Sequence, residues 1–350
     1  MSQASAAAPQ PLSNEAIPFE QQLYLRSPLG TLATTAIIFV FLFGSFLALA
    51  ALNHVPTIWR APNGIAISGA AWPALVLSLL CCAALSMQRY ARVWEANDAP
   101  AFARILTGGA ASAARVTGLR PRDLNLVRST IIGVAIGLIL SAAVMTSESR
   151  EGHPIEPGPF VWYICAITFL NILFVRGVAQ TRAADKSFAS MLSTELKIDL
   201  LRIDRLAVLG RSAARSSLIW FVVSAVACLF FVGGDLNGFT VALIASCAVI
   251  GIGLFIGTMS RVHRQILAAK HAELEHIRSQ IDSMRATMQE DSGVAARMHG
   301  MLAYETRIAD AHEWPFDQST LVRVGASALI LTVPWFGQAA VQYFIDRLGH

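Results

Sequence analysis

The feature that most constrains this chain is its series of long apolar runs without a charged side chain. A run of about 18 such residues is long enough for a helix to cross the hydrocarbon layer of a bilayer. Six runs have this character: 31–52, 66–88, 129–146, 159–175, 217–233 and 239–259. The sequence therefore predicts an all-α fold, a polytopic membrane helix bundle with at least six transmembrane helices.

A seventh apolar run, 324–345, is long enough to span but contains Pro334 and Gly337. Proline removes a backbone donor and kinks or breaks a helix. Two interpretations stay open for this run, a transmembrane helix or a re-entrant, interfacial one. We favour a span, so the predicted bundle has six to seven transmembrane helices.

The composition agrees with burial in a bilayer. Charged residues make up 14% of the chain and hydrophobic residues 55%, with a mean hydropathy of +0.53. A soluble domain carries about a quarter charged residues. The net charge of +4 is spread over loops, whereas nucleic-acid binding needs a basic patch on one soluble face. We expect the lipid bilayer as the surrounding medium and no nucleic acid as a partner.

The distribution of basic residues predicts the orientation. With the N-terminus inside, the inner segments hold 24 of the 27 Lys and Arg residues, and only Arg60, Arg150 and Arg347 are left outside. Loops rich in Lys and Arg stay on the cytoplasmic side of a membrane. We therefore predict a cytoplasmic N-terminus. A seventh span would put the C-terminus outside.

Residues 1–29 are rich in Ala, Ser, Gln and Pro and lack a basic start. They do not resemble a secretory signal peptide. We expect a disordered N-terminal tail, followed by a first span that acts as an uncleaved anchor.

Two longer inner segments, 89–128 and 176–215, are predicted to be amphipathic and cytoplasmic. In the second, leucine and isoleucine recur at spacings of three and four, which places them on one helical face: Leu192, Leu196, Leu200, Ile203 and Leu206. Such a helix can lie on the membrane and meet anionic lipid. The alternative, which we favour, is a cap packed under the bundle with ordinary positive-inside charge.

A heptad pattern follows the sixth span. Its seam has gaps that alternate between three and four, as in coiled coils: Leu267, Lys270, Leu274, Ile277, Ile281, Met284 and Met288. A break at 290–293 precedes a second helical stretch, 294–312. The sequence predicts a cytoplasmic antiparallel helical hairpin over 260–313. Closure across two protomers is equally open, so Leu274, Ile277, Ile281 and Met284 are our candidate interaction seam.

Two stretches resemble known proteins. They are IDLLRIDRLAVLGRSAARSSLIW at 198–220, and ELEHI, YETRI, WPFD and TLVR between 273 and 323. In these, the second half of the chain is similar to a group of uncharacterised bacterial multi-spanning inner-membrane proteins. The resemblance implies a bacterial source and the cell inner membrane, and it implies no activity.

Intramembrane chemistry is sparse in the sequence. Coupled transporters place ionisable side chains inside the membrane, and no ionisable side chain lies near the centre of any of the six runs. Asn171 is the least ordinary polar residue. It is a candidate pore-lining residue, although a hydrogen bond to a neighbouring helix is the commoner role of such a side chain. Gly133 and Gly137, and Gly253 and Gly257, have the spacing that lets two helices approach closely.

Enzyme and metal motifs are missing from the sequence. His271 and His276 are five residues apart, so the pair does not form the HExxH zinc motif. The five cysteines lie inside apolar runs and lack the spacing of a zinc site or a disulfide framework. We expect no enzymatic activity, no cofactor and no metal.

These observations lead to one functional hypothesis and one alternative. We expect an integral membrane protein with a structural or regulatory role, exerted through protein contacts of its cytoplasmic helices with a partner or a homo-oligomer. The alternative is a passive channel or transporter. The predicted domains are a tail, a membrane bundle, a hairpin and a C-terminal membrane helix: 1–29, 30–259, 260–313 and 314–350.

Overall fold

The computed structural model describes residues 19–61, 64–67, 70–117, 126–150, 157–231, 238–287 and 292–314. Within them the chain is overwhelmingly α-helical. In chain order the helices are α1 (Phe19–Arg26), α2 (Gly30–Leu52), α3 (Ala71–Ile105), α4 (Gly109–Thr117), α5 (Leu126–Arg150), α6 (Pro157–Glu195), α7 (Ala207–Ala227), α8 (Gly238–Thr287) and α9 (Ser292–Ala309). Short 3₁₀ turns, Ile203–Leu206 and Cys228–Phe231, flank α7. The apolar run 324–345 lies outside the described residues.

Six of the described helices are long and apolar enough to cross a membrane, which confirms the prediction of six spanning segments. They are α2, α3, α5, α6, α7 and α8. The second span begins later than predicted. The strands β1 (Ile58–Ala61) and β2 (Gly64–Ile67) pair antiparallel, and α3 starts only at Ala71. The alternation of Ile and Ala in this short run suits a strand as well as a helix, so hydropathy alone could not separate them.

The membrane-spanning part is held together by large apolar side chains. Phe46, Leu80, Trp162 and Trp220 belong to one buried cluster that joins α2, α3, α6 and α7. The rings of Phe46 and Trp162 meet edge to face, with centroids 5.1 Å apart. An edge-to-face pair places a ring's positive rim against its neighbour's negative face. These contacts fix the centre of the bundle.

α5 and α6 approach each other closely. A Cβ atom added at Gly133 would lie 2.6 Å from the Cα of Ile172, and one at Gly137 would lie 2.5 Å from the Cα of Thr168. Only glycine fits at such separations. The Gly133/Gly137 pair is therefore used inside the chain. By contrast, a Cβ at Gly253 would meet nothing within 4 Å.

One end of the bundle has a second core. α3 and α6 end there, α7 begins there, and α8 continues past it. We call this region the basic end, because several cationic side chains lie at it: Arg104, Lys197, Arg202, Arg205, Arg215 and Arg261. Its buried side chains come from all four helices and include Phe102, Leu192, Leu209 and Ile266. Leu106 and Leu196 form an antiparallel bridge that joins the chain after α3 to the chain after α6.

The predicted continuous helical face over 192–206 is wrong. α6 ends at Glu195, a single bridge residue and a turn at 200–201 follow, and the 3₁₀ turn begins at Ile203. Two interactions account for the break: the backbone bridge at Leu196 takes the chain out of the helix, and Asp199 Oδ1 accepts the N–H of Leu201. Side-chain bonds of this kind compete with helical backbone bonds.

The predicted disordered tail also needs a correction over its last part. Residues 19–26 form α1, whose Tyr24 is buried against Leu85 and Leu173. The Tyr24 hydroxyl lies 3.1 Å from the Thr35 hydroxyl. A buried aromatic ring with a satisfied hydroxyl is enough to anchor a short helix. Residues 1–18 lie outside the described part.

The last two described helices pack against each other. α8 has 50 residues, so it is roughly 75 Å long, and its C-terminal part extends well past its apolar span. α9 runs back along this part in the antiparallel sense, because Arg278 contacts Glu305 whereas Lys270 contacts Ala311. We call 261–287 with α9 the α8/α9 hairpin.

Candidate functional site

The candidate interaction seam lies on the face of α8 that α9 covers. Leu274 and Ile277 are buried in a cluster with Ile308 of α9, and Ile281 packs against the same cluster. Met284 is half-buried further along α8. Fully burying side chains of this size stabilises a contact by roughly 1.5–3 kcal/mol each. Leu274 and Ile277 of the seam are thus covered by α9 of the same chain. A partner would have to bind another face of the hairpin.

The hairpin is attached firmly where it leaves the bundle. The Lys270 ammonium group donates to the Ala311 carbonyl at 3.1 Å and pairs with Glu313 at 3.2 Å. The ring of His263 stacks on Trp314 with centroids 4.1 Å apart, and His263 Nδ1 lies 2.9 Å from the Glu313 carbonyl oxygen. Lys270 is a polar residue in an apolar seam because it binds the carbonyl after the end of α9. These contacts hold residues 311–314 against α8.

Polar contacts continue along the hairpin. The Tyr304 hydroxyl donates to Glu273 at 3.1 Å, and Arg278 donates to Glu305 at 2.8 Å. Burial, together with the hydrogen bond to the Glu273 carboxylate, raises the pKa of Tyr304 above its ordinary value. The hydroxyl thus stays protonated and keeps its bond across the physiological range.

Two ion pairs tie the basic end together across helices. Arg215 of α7 pairs with Asp98 of α3 and lies 4.5 Å above the ring of Trp94. Arg261 of α8 binds both carboxylate oxygens of Asp185 of α6, at 2.7 and 2.8 Å. A two-point guanidinium–carboxylate bond fixes direction as well as distance. The start of α7 and the root of the hairpin are thereby fixed to α3 and α6.

Sequence reasoning did not find these two aspartates. A signal was available, since Asp98 and Asp185 are acidic residues inside predicted basic segments, where a lone carboxylate needs a partner. Spacing along the chain does not say which arginine it meets, because each pair joins residues at least 76 positions apart.

Asn171, the candidate pore residue, is bonded within its own helix. Its amide nitrogen donates to the Ile167 carbonyl at 2.9 Å. This donor therefore does not form the expected hydrogen bond to a neighbouring helix. Other small polar side chains in the spans do the same, as with Ser78 to Ala74 and Ser141 to Gly137. Two buried oxygens near the spans, Gln88 Oε1 and Thr168 Oγ1, make no hydrogen bond.

The described cysteines are all free thiols, buried in four cases and exposed at Cys165. Among the described residues no group of three His, Cys, Asp or Glu side chains is close enough to hold a metal ion. The distinctive polar chemistry of the described part therefore lies at the basic end and in the hairpin.

Comparisons with known proteins give no relative: no family model, curated protein sequence or solved structure matches this chain.

Proposed function

We propose that this chain is a multi-pass protein of the bacterial inner membrane that acts as a structural or regulatory component through protein contacts of its cytoplasmic helices. The N-terminus and the α8/α9 hairpin face the cytoplasm in this proposal, since the basic end then lies on the side that the positive-inside rule requires. The protein needs no enzymatic activity, cofactor or metal for this role.

The observation that carries the proposal is the firm attachment of the hairpin. Its seam is packed, its root is clamped by Lys270 and His263, and the Asp185–Arg261 pair joins it to α6. An element held in this way presents a fixed surface at little cost in ordering on binding. The outer side of α9 keeps an exposed apolar residue, Leu302.

The spans give less support to coupled transport. Most of their described small polar side chains, including Asn171, donate to carbonyls of their own helices, whereas Ser224 of α7 donates to the Ile244 carbonyl of α8. Proton and ion relays use ionisable groups inside the membrane, and the apolar runs carry no Asp, Glu, Lys, Arg or His near their centres.

A passive channel is the alternative. In its favour are Gln88 Oε1 and Thr168 Oγ1, buried oxygens without a hydrogen bond on α3 and α6. Such atoms are uncommon in folded proteins and ask for an explanation. Water bound at these oxygens is one explanation, with Thr168 placed where α6 meets Gly137 of α5.

Photo-crosslinking in native membranes tests the proposal. A benzophenone amino acid replaces Leu302 on the outer side of α9, and in a matched chain it replaces Ile139, an exposed residue of the α5 span. We expect a discrete protein adduct from position 302 and lipid adducts alone from position 139. We expect Leu302→Glu to remove the complex without lowering the melting temperature, because the exposed Leu302 side chain is not part of the buried hairpin core.

Absence of a protein adduct at position 302 contradicts the proposal. Solute flux through liposomes that contain the purified chain, reduced by Thr168→Val, supports the channel instead.

A further inference from the structure

A small basic cleft at the basic end belongs neither to the hairpin seam nor to the two ion pairs. It lies between the end of α3 and the segment that joins α6 to α7. Its lining has four cationic side chains, one carboxylate and two apolar ones: Arg104, Lys197, Arg202, Arg205, Asp199, Ile105 and Leu206. The residues come from two stretches that are about ninety positions apart in the chain.

The two walls of the cleft are joined by backbone hydrogen bonds. Lys197 N–H donates to the Ile105 carbonyl at 2.8 Å, and Thr107 N–H donates to the Glu195 carbonyl at 2.9 Å. Leu206 beneath it is buried in the second core. The cleft is thus a fixed feature of the fold, and its cations are held near one another by the backbone.

The cations of the cleft differ from their neighbours in having no carboxylate partner. At the basic end and in the hairpin, Arg215, Arg261 and Arg278 each pair with an Asp or Glu. Within the described part of the chain, no ion pair is formed by Arg104, Lys197, Arg202 or Arg205. The one carboxylate of the lining, Asp199, already accepts a backbone N–H. The four cations outnumber this single carboxylate, and their excess positive charge favours the binding of an anion.

The size and shape of the cleft suit a phosphate group. Its volume is about 60 Å³, and a water molecule needs roughly 10–15 Å³ on the same measure, so it holds several waters or one tetrahedral anion. Arginine binds phosphate oxygens through two parallel N–H bonds, and lysine supplies a compact charge. A carboxylate ligand would use fewer of the four cations.

We propose that this cleft binds a phosphate group, carried either by a soluble phosphate compound or by the headgroup of an anionic phospholipid. The segment that lines it also contacts the hairpin, since Leu200 packs on the cluster of Leu274, Ile277 and Ile308. A ligand in the cleft therefore binds the same segment that contributes Leu200 to the hairpin core.

The test uses the full chain in nanodiscs. In discs of zwitterionic lipid the probe is inorganic pyrophosphate, measured by calorimetry. In discs that include phosphatidylglycerol the readout is the number of anionic lipids retained in native mass spectrometry. Arg202→Gln with Arg205→Gln removes two cations from the cleft. Arg264→Gln with Arg307→Gln removes two exposed cations of the hairpin as a matched control.

We expect the cleft double variant to weaken binding of pyrophosphate, or retention of phosphatidylglycerol, by at least about tenfold, because charge-assisted bonds are lost. The control double variant should stay within about twofold. Pyrophosphate binding in zwitterionic discs identifies a soluble source, and lipid retention without pyrophosphate binding identifies a headgroup. If the double variant fails to fold, Lys197→Gln replaces it, since the Lys197 backbone bond to Ile105 is kept.

Equal weakening in both double variants would mean a general charge effect and would overturn the proposal. So would the absence of both pyrophosphate binding and lipid retention. Neither result bears on the crosslinking at position 302, so the two proposals fail separately.

Discussion

The membrane-spanning part and the basic end solve the same packing problem in different ways. In the spans, helices meet through glycine and large apolar side chains, and most small polar groups bond within their own helix, as Ser141 does to Gly137. At the basic end, helices meet through charges that cross from one element to another, such as Asp98 with Arg215. The difference indicates that apolar packing holds the spans, whereas at the basic end ion pairs between helices are added to an apolar core.

The largest effect is expected in the spans, at the contact between α5 and α6. Gly137→Leu forces α5 away from α6, because the new Cβ would overlap the Cα of Thr168. Overpacking costs about 1–3 kcal/mol where side chains can adjust, and more where the obstacle is backbone. We expect little folded protein in detergent, measured by size-exclusion yield.

Gly253→Leu is the matched control, because nothing lies within 4 Å of its Cβ position. It should retain the wild-type yield. Equal yields from the two variants would show that the α5/α6 approach is not as close as described.

In the hairpin, stability is expected to depend on apolar packing between α8 and α9. Ile277→Ala leaves a cavity beside Ile308, where both side chains are fully buried, and should destabilise the hairpin by about 2–4 kcal/mol. Hydrogen exchange of the α9 amides measures this local loss. Leu302→Ala, at an exposed position of the same helix, should leave exchange unchanged; faster exchange in that control would mean that the outer side of α9 is packed.

Charge is tested at Asp98→Asn. The substitution keeps the shape but leaves Arg215 without its counter-charge in a setting where the Asp98 side chain is 12% exposed. We expect a loss of about 1–3 kcal/mol, below that of a fully buried pair, measured by thermal unfolding.

The control for Asp98→Asn is Glu305→Gln, whose partner Arg278 is 63% exposed. It should cost less than about 0.5 kcal/mol. If the two substitutions cost the same, the basic end does not depend on its ion pairs more than the surface does.

The smallest effect is a shift in titration at Tyr304. Its raised pKa means that the bond to Glu273 contributes stability below about pH 10, and that this contribution is lost as the pH rises through the folded-state pKa. In spectrophotometric titration, the difference between the wild-type curve and the Tyr304→Phe curve should show the ionisation of one phenol. Its midpoint should lie above pH 10. A midpoint at or below 10 would contradict the buried, bonded hydroxyl.

The spans were predictable from the sequence because a long uncharged apolar run seldom forms anything other than a membrane helix. The ends of the elements were less so. The strands at 58–67 and the break after Glu195 both depend on backbone pairing, and residues that pair along the backbone leave no mark in hydropathy. The seam residues Leu274 and Ile277 followed from heptad spacing, and the second helix followed from the break at 290–293, whereas closure of the hairpin within one chain did not follow from the sequence.

The basic cleft shows the same limit. Arg202 and Arg205 stand out in the sequence as neighbours, but Arg104 joins them only because the bridge at Leu106 and Leu196 brings two distant segments together. Charge patterning gives the sign of a surface, and tertiary contacts decide which charges share a cleft.

The central claim is that the basic end and the hairpin share one side of the membrane, the cytoplasmic side. Single cysteines in a cysteine-free chain test it most directly, with a membrane-impermeant maleimide applied to intact spheroplasts. Leu302→Cys lies on the hairpin, and Pro56→Cys lies beyond the other end of α2. The account predicts labelling at position 56 in intact spheroplasts and at position 302 only after permeabilisation. Labelling at position 302 in intact spheroplasts, with position 56 protected, would contradict it.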